Sequence, residues 1–427
     1  MATHWTLIPV EMNRFEGLCQ PPGEAHQWIG SGMAQKAVYL DYQASTPLDP
    51  RVRIAVDAAY DAPGNASSEE HAFGWAALSR VEAARGFVAE SLNAVAEEVT
   101  FTSGATEANN IAILGAAMAA PPRRRRILVS AIEHKSVSAA AYAAERFGFV
   151  VEVVPVTHDG LTDIQALEAM LDDEVAIVSV MAVNNEIGTI QPSALVGRLT
   201  RSAGAFFHVD ATQALAATHV DMTEWGADAL SLSGHKIYAP GGIGALIVAL
   251  DAPWRPKPLM FGGGQEQGLR PGTLPVPLCV GLGEACRLIS IEGEVERRRV
   301  GDLRDALARR LKDVFAELRV SCEQTPRHPG CLHIRIPKVS ASDLLMRLQP
   351  LVAASTGSAC TSGMLGPSHV VLAIGLSAAD AAECLRFSLG RFSTESDVEI
   401  AVSCLSSAMR SLSARDFDPT VLGLAAV

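Results

Sequence analysis

The chain has 427 residues, 48% of them hydrophobic and 19% charged, which is enough for two or three domains with sizeable cores and excludes disorder as the default. Its net charge of −12 and pI near 5.4 argue against a broad phosphate-binding surface, so no direct nucleic-acid partner is expected. No apolar run reaches the roughly 18 residues needed to cross a bilayer, and residues 1–35 lack a basic start followed by an apolar segment. A cytoplasmic protein with no membrane partner is therefore expected. The eight cysteines include no C-x-x-C pair and are too sparse for a disulfide framework, which makes most of them small buried hydrophobes in a reducing compartment.

In chain order, residues 1–37 contain Pro21-Pro22-Gly23 and little periodicity, and they read as a loosely attached extension. From Val38 onward, short apolar runs alternate with alanine-rich helical stretches. The runs are Val99–Thr102, Ile127–Ser130, Val150–Val154, Val175–Val180, Phe206–Asp210 and Ala245–Val248. That alternation predicts an α/β architecture with a largely parallel sheet. Arg123-Arg124-Arg125-Arg126 falls between Pro121-Pro122 and a strand, and is expected to be a solvated loop. After Gly281-Leu282-Gly283 the composition changes. A charged helix is expected from about Glu294 to Arg319, leading into a smaller segment of strands and helices.

Several loops after predicted strands carry chemistry. Ser233-Gly234-His235-Lys236, with glycine-rich Gly241-Gly242-Ile243-Gly244 after it, offers an amine for a carbonyl cofactor. Thr102-Ser103-Gly104-Ala105-Thr106-Glu107 opens a helix whose free N–H groups and Thr106 hydroxyl suit a phosphate, the plain alternative being a helix cap. Asp210 ends a strand and Gln213 follows it. Facing a pyridine ring, Asp210 keeps the nitrogen protonated and Gln213 reaches the phenolic oxygen, where the alternative is again a cap. His134, in Glu133-His134-Lys135, can stack on the ring and move protons, and Asn184-Asn185-Glu186-Ile187-Gly188 is either a turn or a carboxylate contact. Ser355-Thr356-Gly357-Ser358-Ala359-Cys360-Thr361-Ser362-Gly363 surrounds one thiol with small residues, as a thiol-carrying loop or a buried turn would. The set looks like a pyridoxal phosphate site.

Together with Tyr39-Leu40-Asp41-Tyr42, Thr46-Pro47, Gly262–Pro275 and Arg386–Arg391, these motifs resemble the pyridoxal-phosphate-dependent cysteine desulfurases of the NifS and IscS type. The resemblance covers about residues 38–412 and lies within the fold-type I aminotransferase superfamily. It implies a large cofactor domain over 51–284 with a mainly parallel seven-stranded sheet. It also implies a smaller α/β domain from 38–50 and 285–413 that carries the cysteine loop, and a tail at 414–427. By the same resemblance Lys236 forms the Schiff base, His134 stacks on the ring, and Asp210, Gln213 and Asn185 address the cofactor. Ala105, Thr106, Ser233 and His235 hold the phosphate, and Thr273 reaches in from the second subunit of a homodimer. Asn65, Asn185 and Arg386 hold L-cysteine, Cys360 receives its sulfur as a persulfide for a sulfur-acceptor protein, and no metal is implied.

Two departures stand out: Asn65 is not followed by the usual proline, and Pro271 stands where a small residue is common. Other fold-type I enzymes, an aminotransferase or a selenocysteine lyase, are alternatives that keep Lys236 and Asp210 while giving Cys360 no sulfur to carry. A non-catalytic sulfur-transfer scaffold is the third.

Overall fold

The computed structural model describes residues 37–357 and 366–415. Seven strands form its main sheet: Val99–Thr102 (β1), Arg126–Ser130 (β2), Val150–Val154 (β3), Val175–Ser179 (β4), Phe206–Asp210 (β5), Ala229–Ser233 (β6) and Gly244–Val248 (β7). Their order is β1-β7-β6-β5-β4-β2-β3, all parallel except β7, which runs against both of its neighbours. The α/β fold with a mainly parallel seven-stranded sheet thus matches expectation, with β6 as a strand the apolar runs did not name.

Strands β4 to β7 are buried along their whole length, as a sheet covered by helices on both faces requires. Within β5, Phe206 packs into one apolar layer and Phe207 into the other, following the two-residue alternation of a strand. Because β1, β2, β4, β5 and β6 run the same way, the loops that follow them meet at one sheet edge. That is where α/β proteins bind ligands.

The helix expected from Glu294 to Arg319 is the second half of a single helix, Val276–Val314. The Gly281-Leu282-Gly283 step that reads as a break is a packing device. A Cβ at Gly283 would lie 2.6 Å from the Ala84 Cα, and one at Gly281 would lie 2.7 Å from Val56 Cγ2, so both glycines let neighbouring helices approach closely. The first half of the long helix packs into the sheet core through Cys279, Leu282 and Cys286. The second half supplies Val300, Leu303, Leu307 and Leu311 to another core. That core includes the antiparallel strands Cys331–Arg335 and Cys384–Ser388, and Val38–Tyr39 pairs in parallel with Val352–Ala353 beside it.

The four-arginine run is not a solvated loop. Arg124 is buried and donates to the carbonyls of Val175 and Ala203, Arg126 pairs with Glu152 and Asp172, and Arg125 lies over the Phe149 ring. Among the described residues no helix is long and apolar enough to cross a membrane.

Candidate active site

A cavity of about 760 Å³ opens at the carboxyl edge of the parallel strands. Its wall includes Ala105, Thr106, His134, Asn185, Asp210, Gln213, Ser233, His235, Lys236 and Arg386, so residues spread over nearly 300 positions of sequence converge there. Asn65 and Thr273 are exposed and do not line it. Cys360 lies outside the described residues, although Gly357, three positions earlier, lines the cavity.

Register explains part of the convergence. Thr102 in β1, Gly244 in β7 and Ser233 in β6 lie side by side, which brings the helix start after β1 next to the loop that carries Lys236. Gly244 is required there, since a Cβ on it would sit 2.6 Å from the Gly104 Cα. The helix Ala105–Asn110 begins after Gly104 with no side-chain cap, so Thr106 is inside the first turn and the N–H groups of that turn have no intrahelical partner. The alternative reading of a threonine cap is therefore not met. The arrangement leaves donors for an anion beside Ser233 and His235.

Lys236 sits in a short helical turn after β6, and its Nζ donates to the carbonyl oxygens of Gln43 (2.6 Å) and Ala44 (2.8 Å). The segment that supplies those carbonyls is tied down in turn. The Thr46 N–H and hydroxyl both donate to the His235 carbonyl, and the Tyr238 N–H donates to Thr46 Oγ1. Burial first, and then the neighbouring Lys236 charge, lower the His235 pKa to about 4, so its imidazole is neutral at pH 7.

Asp210 accepts from the Thr212 N–H (3.0 Å) and from Asn109 Nδ2 (2.9 Å). Asn109 Nδ2 also donates to Ser136 Oγ (2.8 Å), and Ser136 Oγ meets His134 Nδ1 at 2.8 Å. The Ser136 N–H donates to the same ring nitrogen (3.2 Å). Nδ1 is thus an acceptor, and the neutral His134 ring carries its proton on Nε2. Asn109 and Ser136 went unnoticed in the sequence. Asn109 lies four residues after Ala105 on one helix face and Ser136 two after His134, and this spacing is the signal that points to them.

Two further buried groups surround the site. His208 on β5 lies between Ser179 Oγ and Ser231 Oγ, and burial lowers its pKa to about 4. Glu133 accepts from the Met181 N–H, and burial, reinforced by the charge of Asp210, pushes its pKa well above the usual carboxylate range. Arg386, on Cys384–Ser388, donates to the Asn185 carbonyl (2.5 Å) and pairs with Asp41 (2.6 Å).

An amine, a carboxyl held by two donors, an imidazole with a fixed tautomer and a helix start beside a serine make a set that fits pyridoxal phosphate. All of these groups line the one cavity, which holds the donor set that such a cofactor needs.

The aminotransferase class-V family model matches residues 38–400. The cysteine desulfurase IscS of Rickettsia bellii is 41% identical over 383 residues, covering 90% of this chain and 93% of that protein. Among solved structures, a NifS-like protein superposes with a TM-score of 0.81 at 30% identity, over 88% of this chain and 100% of that one. The structure of SspA in complex with cysteine superposes with a TM-score of 0.71 at 32% identity, over 84% and 100%.

Proposed function

We propose that this chain, which belongs to the class-V aminotransferase family and within it to the cysteine desulfurases, takes sulfur from L-cysteine, leaving L-alanine and a persulfide on Cys360. Its cofactor is pyridoxal 5′-phosphate, which when bound draws electrons from the substrate Cα and so makes the Cα proton removable. The observation that carries the reading is the convergence of Lys236, Asp210, His134 and the Thr106–Ser233 phosphate cradle in one cavity.

Within that cavity Lys236 Nζ holds the cofactor and takes the Cα proton. Asp210, steadied by Asn109 and Thr212, would hold the ring nitrogen, Gln213 and Asn185 would address the ring substituents, and the His134 imidazole would stack on the ring. Arg386 grips the substrate carboxylate, with Asn185 beside it completing the contacts inside the cavity. The Cys360 thiolate attacks the substrate sulfur. A new S–S bond forms, the Cβ–S bond breaks, its electron pair goes to Cβ, and protonation at Cβ together with return of the proton from Lys236 to Cα gives alanine.

Two observations favour Cys360 as acceptor. Three residues reach no further than about 11 Å, which tethers position 360 to Gly357 on the cavity wall. The cysteines Cys279, Cys286, Cys322, Cys331 and Cys384 have pKa values pushed by burial up to about 11 or 12, which keeps them as unreactive thiols. Thr273 acts from the exposed face, reaching the neighbouring subunit's phosphate site in a homodimer, a reading supported by exposed Phe73, Trp75 and Phe261. The persulfide then passes to an acceptor protein in the cytoplasm, where free thiols persist.

The test is Lys236→Ala. The variant should lose the visible absorbance of the bound cofactor and all alanine release from L-cysteine. Parental alanine release would exclude Lys236 from both tasks.

A further inference from the structure

Lys236 Nζ donates to two backbone carbonyls at once, those of Gln43 at 2.6 Å and Ala44 at 2.8 Å. A nitrogen double-bonded to a cofactor carbon carries at most one hydrogen, whereas an amine carries two and an ammonium three. Only the released form of Lys236 can therefore donate to both oxygens. Local sequence does not bring them there, because Gln43 stands 193 positions before Lys236.

The pair of carbonyls is held from both ends. Gln43 is buried, and its N–H donates at 3.0 Å to the hydroxyl of Ser388, itself buried at the end of Cys384–Ser388. The Gln43 carbonyl has a second lone pair, which receives Gln213 Nε2 at 3.0 Å. Two residues past Ala44, the Thr46 N–H (2.8 Å) and hydroxyl (3.0 Å) both donate to the His235 carbonyl, and Thr46 Oγ1 accepts the Tyr238 N–H at 2.8 Å. The Asp49 N–H then donates to the Tyr238 carbonyl at 3.1 Å. Thr46 thus binds the backbone on both sides of Lys236. Tyr238 sits at φ +67°, a conformation that a bulky residue rarely adopts, and these contacts hold it there.

From this geometry we infer that the Gln43 and Ala44 carbonyls form the seat that receives the Lys236 amine when a substrate amine takes its place on the cofactor, and that Thr46 is the positioning residue of that seat. In the exchange the incoming nitrogen forms the bond to the cofactor carbon, the Lys236 nitrogen leaves it, and two hydrogens pass from the incoming nitrogen to Lys236. Those two hydrogens are what the two carbonyls accept. Once Lys236 has taken the Cα proton, its ammonium has a third N–H, so the proton to be returned is the one the seat does not hold. Because the seat stabilises only the released form, it shifts two equilibria in opposite directions. It favours every amine that displaces Lys236, and it opposes the bond between Lys236 and the cofactor. A general loosening of the site would weaken both. The inference rests on Lys236 being the residue that bonds the cofactor.

The experiment uses the full-length holoenzyme and Thr46→Val, which keeps the shape of the side chain and removes its hydroxyl. Absorbance titration with L-alanine, and with ethylamine, which has no carboxylate for Arg386, reports displacement of Lys236. Equilibrium dialysis at graded pyridoxal 5′-phosphate concentrations reports the opposing equilibrium. Thr46→Val should bind both amines about threefold to tenfold more weakly, the scale of one lost hydrogen bond, while its cofactor affinity stays parental or rises. Thr46→Ser, which keeps the hydroxyl, should restore both affinities. Ser388→Ala, which releases the Gln43 N–H, should weaken ethylamine binding in the same sense with no loss of cofactor affinity. Parental ethylamine affinity in Thr46→Val, a weakening confined to L-alanine, or a parallel fall in cofactor affinity overturns the inference and leaves the desulfurase reading standing. Parental cofactor absorbance in Lys236→Ala overturns the assignment of Lys236 and this inference with it.

Discussion

Asp210 and His134 are separated by 76 positions in sequence, yet a chain of three hydrogen bonds through Asn109 and Ser136 joins them. Both orienting groups are short polar side chains, Ser136 at a helix start and Asn109 one turn into its helix, where sequence shows a local backbone contact as readily as a partner. For that reason Lys236, Asp210 and His134 were legible while their supports were not. Ten of the thirteen expected site residues line the cavity: nine end or follow strands of the main sheet, and Arg386 comes from the antiparallel strand Cys384–Ser388. The supports depend on side-chain directions that no motif records. Asn109→Ala removes one donor from Asp210 and leaves Ser136 Oγ without its amide. The expected outcome is about tenfold weaker pyridoxal phosphate binding, measured by absorbance titration of the apoprotein, with the folded structure retained.

The strand Ala229–Ser233 reads Ala-Leu-Ser-Leu-Ser, lacking the β-branched and aromatic residues that mark strands, and burial between β5 and β7 is what makes it one. Tertiary context likewise overrides the apparent break in Val276–Val314. Glycines at 281 and 283 lower helix propensity, but they permit the contacts with Val56 and Ala84 that anchor this helix. Gly283→Val places two methyl groups where the Ala84 backbone already lies. It should destabilise the protein by about 1–3 kcal/mol in urea unfolding while leaving the cofactor absorbance of the folded protein unchanged.

Across the whole molecule, buried ionisable groups set the response to acid. Burial lowers the pKa values of His208, His235, His328 and His333 to about 4, 4, 3 and 3, below the unfolded value near 6.5. Between pH 6.5 and about 4.5 the unfolded chain therefore binds up to four protons that the native state refuses. Asp228, raised by burial to about 6, and Glu133, raised well above its ordinary value, act in the opposite sense, because the native state holds up to two protons that the unfolded chain has released. The four histidines outnumber the two carboxyls, so the balance favours the unfolded state. Stability should fall on acidification through this window. The urea midpoint of the holoprotein at pH 7 and pH 5 checks the sign, and a higher midpoint at pH 5 would contradict neutral buried histidines.

The overall architecture was legible because the strand–helix alternation and the motifs after the strands agree with one another. The continuous helix and the buried arginine at position 124 were not, since both depend on what packs against them. The central claim, sulfur transfer to Cys360, is tested most directly by mass mapping of the protein after a pulse of L-cysteine. The account predicts an additional 32 Da on the peptide that contains Cys360, roughly the mass of one sulfur atom. It also predicts that the Cys360→Ser variant still binds L-cysteine but gains no such mass, since a hydroxyl is far less acidic than a thiol and cannot hold sulfane sulfur. Added sulfur on Cys331 or Cys384 instead, or sulfur release by the serine variant at the parental rate, would contradict it.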